Sequence, residues 1–210
     1  MAAQAAPFAY VPKNSNNSIA VLDVATNAVV ATIPTGIATP SGVVVNPGGT
    51  RVYAALYEFA AVFVIDTATN SVIGTINVGY YPQGIAMNPA GTRVYVANSG
   101  SASVSVIDTS MNAVVATVAV GNNPVGVVVN PSGSALYVSN NLSNNVSVID
   151  TSTNAVIATA GGVLRPGAVA INPDGRHVYV TLPTGGFSVI DTSTNTIVNG
   201  GSTYTPYGMR

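Results

Sequence analysis

The residues able to do chemistry are few and evenly spaced. Aspartate recurs at Asp23, Asp66, Asp108, Asp150 and Asp191, opening phrases such as "DTATN", "DTSMN" and "DTSTN". A carboxylate can ligate a cation or trade a proton with a substrate. The first role needs several oxygens around one point, and the second needs titratable groups that converge. Steps of 43, 42, 42 and 41 residues separate the aspartates instead. They read as turn caps, each accepting local backbone N–H groups, with the asparagine that closes the phrase taking a left-handed backbone. Of seven acidic residues, Asp174 lies in a second repeated phrase, which leaves Glu58 as the carboxylate outside the repetition. The one histidine, His177, stands where other copies have Arg51, Arg93 and Ala135. There is no cysteine, no serine in a nucleophile-elbow setting, and "GGVLRPG" is not a phosphate-binding fingerprint. These residues point to no catalytic set, no metal site and no cofactor.

Composition narrows the partners. The 210 residues are 48% hydrophobic and only 6% charged, with net charge -1. Soluble domains carry about 25% charged residues, so asparagine, serine and threonine must solvate this surface. Without a basic patch, nucleic acid and anionic membranes are poor partners. No apolar run reaches the length of about 18 residues that a membrane-spanning helix needs. The opening "MAAQAAPFAYVPKN" has neither a basic start nor an apolar stretch of export-signal length.

The aspartates belong to a longer repeat. Asn-Pro pairs begin at Asn46, Asn88, Asn130 and Asn172, each followed by a strand with a tyrosine: "NPGGTRVYA", "NPAGTRVYV", "NPSGSALYV" and "NPDGRHVYV". A Pro-x-Gly phrase precedes each pair except the fourth, which reads "RPGA". Every unit divides into four short runs. "GVVVN" is continuously apolar, as a strand buried on both faces would be. Asn-Pro-x-Gly fits a type I turn. "RVYVAN" follows, then the alternating "ASVSVID", then the β-branched "NAVVATV". Four strands in a unit of about 40–45 residues predict the blade of a β-propeller.

The stretch "RVYVANSGSASVSVIDTSMNAVVATVAVGNNPVGVVVNPSG" resembles the YVTN-family β-propeller repeat, found in surface-layer and secreted proteins, over nearly the whole chain. The resemblance implies a propeller and a cell-surface, extracellular or periplasmic setting, and no single activity. Five copies of each strand type can be counted, so residues 1–210 are expected to form one all-β, five-bladed propeller domain. The chain starts on a second strand and ends on a first strand, "TPYGMR". Gly42 to Tyr53 is 11 residues, and Gly208 to Tyr10 through the joined termini is 210 − 208 + 10 = 12. The N- and C-terminal strands are therefore expected to share one blade and close the ring. The alternatives are an arc that closes with a second chain and a fragment of a larger propeller.

Antiparallel blades put the loops between second and third strands on the same rim as the links between blades. That rim holds the residues the repeat does not demand: Lys13, Tyr57, Glu58, Phe59, Tyr80, Tyr81, Arg165, Tyr204 and Tyr207. Aromatic side chains with few charges suit a contact surface. The expected function is a non-catalytic binding or structural module. Its partner would be a protein or glycan on the aromatic rim, with edge-to-edge self-association as a further option. A lactonase- or lyase-type propeller enzyme is the alternative, and it would need a polar, metal-capable channel mouth.

Overall fold

The computed structural model describes residues 8–183 and 185–201, and all of its regular structure apart from two single 3-10 turns is antiparallel β-sheet. Sheet A contains β1 (Phe8–Lys13), β2 (Ser18–Asp23) and β3 (Ala28–Pro34). Sheet B contains β4 (Pro40–Val45), β5 (Arg51–Leu56), β6 (Ala61–Asp66) and β7 (Ser71–Asn77). Sheet C follows with β8 (Pro82–Met87), β9 (Arg93–Asn98), β10 (Ser103–Asp108) and β11 (Ala113–Ala119). Sheet D has β12 (Pro124–Val129), β13 (Ala135–Asn140), β14 (Asn145–Asp150) and β15 (Ala155–Gly161). Sheet E has β16 (Val169–Ile171), β17 (His177–Thr181), β18 (Phe187–Asp191) and β19 (Thr196–Gly201). Strand order follows sequence order in every sheet, as the repeat predicts.

The sheets fan out. First strands of neighbouring sheets pack closely on one another, β4 on β8 and β8 on β12, whereas fourth strands such as β7 and β11 barely meet. Glycine makes the convergence possible. A Cβ on Gly84 would sit 2.5 Å from the Val125 carbonyl oxygen, and one on Gly42 would sit 2.8 Å from that of Gln83. Neither glycine has a positive φ, so what it supplies is room. In "RPGA" the equivalent position holds Ala168, which is exposed.

First strands were expected to be buried on both faces, and they are not. Val43, Val44, Ile85 and Ala86 are only half-buried, because these strands converge on a shared inner opening that solvent enters. The fully buried layer is one strand further out, between sheets, where second and third strands stack. Val52, Val94, Leu136 and Val178, and Ile65, Ile107, Ile149 and Ile190, all lie inside it.

Sheet A has three strands among the described residues. The strand expected to complete it from the C-terminus, with Tyr204 and Tyr207 nearby, falls in 202–210, outside the described residues. Among the described residues no hydrogen bond joins sheet E to sheet A.

Candidate functional site

The two ends of the fan are built differently. One end is made of the strict phrases, and its polar atoms are spent on itself. The Asp66 carboxylate accepts N–H bonds from Ala68 and Thr69, each 3.0 Å. Asp23, Asp108, Asp150 and Asp191 accept the same pair of bonds in their own turns. These donors hold Asp66, Asp108, Asp150 and Asp191 below the ordinary carboxylate range. The backbone N–H of Thr69 leads at Asp66, and the hydroxyls of Ser110, Ser152 and Ser193 lead at the others. Asn46 Oδ1 accepts N–H bonds from Thr50 and Arg51 at 2.8 and 2.9 Å, closing the Asn-Pro-x-Gly turn. The Thr67 hydroxyl ties the two turns together by donating to the Gly49 carbonyl at 2.7 Å, as Thr109, Thr151 and Thr192 do in later sheets. Arg51 and Arg93 reach Asp66 and Asp108 at 2.6 and 2.5 Å. This end is scaffold, and His177 lies on it at the start of β17.

The opposite end is where the units differ. Each link between sheets lies against the loop joining the second and third strands. Tyr80 N–H donates to Ser101 Oγ, Asn122 N–H to Ser143 Oγ, and Arg165 N–H to Asn144 Oδ1. The residue before the first-strand proline varies: Thr39, Tyr81, Asn123 and Arg165. Asn123, Tyr81 and Arg165 have φ of 53°, 53° and 44°. Asparagine tolerates this left-handed region, but a bulky tyrosine there is strained, and such strain gathers at functional sites. The strain is held by the Ser99 N–H and hydroxyl, which both donate to the Tyr81 carbonyl, at 3.0 and 2.8 Å. Gly100 leaves room for the ring, since a Cβ there would collide with Tyr81 Cδ2.

So placed, Tyr81 stacks on Tyr57, with ring centroids 5.0 Å apart and planes at 29°. Tyr57 comes from a 3-10 turn, Tyr57–Phe59, that also carries Glu58. The Glu58 carboxylate accepts the Thr39 N–H and hydroxyl, both at 2.8 Å, and the backbone bond leads in lowering its pKa. Beside the stacked rings is a cavity of about 640 Å³, where first strands of sheets B, C and D converge. Asn14, Thr39, Ser41, Tyr57 and Gln83 supply its polar and aromatic lining.

The model of the choice-of-anchor I domain matches residues 59–199, more than half of the chain. The chain belongs to the choice-of-anchor I domain family. This choice-of-anchor I domain is also similar in structure to a chain of Kuenenia stuttgartiensis hydrazine synthase, a propeller-like neighbour. Identity is 28% and the TM-score 0.72, over 77% of this chain and 48% of that one. The domain thus spans about half the length of the solved chain that it matches. No curated protein matches it. Family and neighbour together identify a β-propeller-type module.

Of the residues singled out in the sequence, Tyr57 lines the cavity, Tyr81 stacks on Tyr57, and Glu58 holds Thr39, another lining residue. Phe59 and Tyr80 are exposed beside them on the same end. Lys13 closes β1 next to Asn14, and Arg165 lies on the last link, in the D-to-E step of the fan. Tyr204 and Tyr207 lie outside the described residues. Sequence reasoning missed Asn14, Thr39, Ser41 and Gln83. For Thr39, Ser41 and Gln83 the signal was the variable middle of Pro-x-Gly and the residue before that phrase; Asn14 opens the variable loop between β1 and β2.

Proposed function

We propose that this domain is a non-catalytic binding module of a cell-surface or extracellular protein, and that it takes a neutral polar ligand, a glycan above all, at the cavity beside Tyr57 and Tyr81. The observation that carries this reading is Tyr81, a bulky side chain held in left-handed backbone so that its ring stacks on Tyr57, which lines the cavity. Neutral polar groups around an aromatic platform suit sugar rings, which offer apolar faces and many hydroxyls. The family's name and the likeness to surface-layer-type repeats favour the surface setting. No helix among the described residues is long and apolar enough to cross a membrane. Catalysis is disfavoured because the Glu58 carboxylate is bonded to Thr39 while His177 begins a strand at the far end, and the aspartates serve their own turns. Hydrazine synthase shares the architecture, and its activity is that of a protein about twice this span.

Calorimetric titration against a panel of neutral oligosaccharides tests the reading. Binding by the native domain should weaken at least tenfold in the variant carrying Tyr57→Ala and Tyr81→Ala, since a stacking contact contributes about 1 kcal/mol beyond buried area and about 1.4 kcal/mol is tenfold. Its melting temperature should stay close to native. A variant that fails to fold would show that the rings are packing, and unchanged affinity would move the site elsewhere.

A further inference from the structure

The contact between neighbouring sheets follows one pattern at three of its four junctions. A tyrosine on the second strand of one sheet reaches the turn asparagine of the next. Tyr10 Oη donates to Asn70 Oδ1 at 3.4 Å, Tyr53 to Asn112 at 3.0 Å, and Tyr137 to Asn195 at 3.2 Å. Tyr95 takes the same position in sheet C, but no bond to Asn154 forms there, and Asn154 Oδ1 is buried without a partner. These four tyrosines are 8%, 2%, 1% and 2% exposed.

Tyr179, the fifth, is 41% exposed and leans on Phe187 instead, at 6.0 Å between ring centroids. Phe187 is itself 40% exposed, although Val62, Val104 and Val146, each four residues before its turn aspartate, are at 0%. Sheet E therefore leaves Tyr179 and Phe187 exposed on a face that every earlier sheet buries, although Val189 between them is 7% exposed. Sheet A presents the complementary face. Val11 is 43% exposed, while Ala54, Val96, Val138 and Val180, its equivalents on the second strands, are at 0%. Among the described residues the side chain of Asn27, the first turn asparagine, takes no hydrogen bond, and its φ of 56° is left-handed like the 51° of Asn70.

We propose that the bare face of sheet E docks on the bare face of sheet A of a second copy, with Tyr179 reaching Asn27 of that copy. The interface is a continuation of the one already repeated along the chain. Both surfaces are apolar halves of a contact that is buried at the earlier junctions, and among the described residues both carry a member of the same donor–acceptor pair that makes no hydrogen bond. Ala168 fits this assignment. It replaces the hub glycine only in sheet E, and among the described residues sheet A has no first strand whose carbonyl would strike that Cβ. A head-to-tail contact of this kind uses two different patches and grows into rings or open chains.

The experiment is sedimentation of the 210-residue chain over a range of concentrations, with two variants placed one on each face. Native protein should associate progressively. Tyr179→Glu and Val11→Glu, both at positions exposed in the single chain, should each remain monomeric with native-like circular dichroism. Mixed in equal amounts they should form a dimer and nothing larger, because each retains the face the other has lost. A native chain that stays monomeric at every concentration overturns the proposal, and is the result expected if the ring closes within one chain. Association that survives both substitutions, or a mixture that stays monomeric, overturns it equally.

Discussion

Asn70, Asn112 and Asn195 each do two jobs. They hold the left-handed turn after Asp-Thr-x-Thr, at φ of 51°, 48° and 55°, and they accept the hydroxyl of a buried tyrosine from the preceding sheet. The first job was legible in the sequence, because left-handed backbone selects asparagine or glycine. The second was not, because the partner lies 58 to 60 residues away. The two separate by substitution. Asn112→Gly keeps the backbone and loses the acceptor, which should cost about 1–2 kcal/mol for a buried hydroxyl left unpaired. Asn112→Ala loses both and should cost about 1 kcal/mol more. Urea unfolding of the two variants checks the order. Equal losses would mean that the left-handed backbone adds no cost, and a neutral Asn112→Gly would mean that the hydroxyl bond contributes nothing.

At the level of the strand, the hub glycines decide how closely sheets approach. The Pro-x-Gly phrase was visible as a repeat, yet its purpose was not, since nothing local to Gly84 needs glycine. The need comes from the Val125 carbonyl in the next sheet. Gly84→Ala should force β8 and β12 apart at a cost of about 1–3 kcal/mol, typical of overpacking. Ala168→Gly, where no described neighbour presses, should change stability by well under 1 kcal/mol beyond chain entropy. Thermal melts of both decide it, and a neutral Gly84→Ala would count against the close approach. The half-burial of the first strands has the same origin. Their apolar run suggested cover on both faces, but convergence at the hub leaves one side on the inner opening.

For the whole molecule, the titrating groups set a pH window. Asp66, Asp108, Asp150 and Asp191 have lowered pKa values in the fold, so the stability they contribute is present above the unfolded value of about 4 and is lost as pH falls through the folded values. Tyr10, Tyr53, Tyr95 and Tyr137 are raised by burial, so their contribution is intact below about pH 10 and is lost as pH rises through the folded values. The melting temperature should therefore hold level between these limits and fall on both sides. A melting temperature that went on climbing above pH 10 would contradict the buried tyrosines. On this scale the end sheets stand apart, because among the described residues each has one face without a neighbouring sheet.

The sequence by itself determined the unit: four strands, their turns, the capping aspartates, and the end of each unit on which variation collects. Those are local properties, set by periodicity of two, by turn chemistry and by residues within a few positions of each other. Only the tertiary structure decided how units meet. It placed Tyr81 over Tyr57, assembled the cavity from three sheets, and left Tyr179 and Val11 bare where their repeats are buried. A repeat writes the same interface at every junction, but whether the last junction is filled depends on what stands beside it in space.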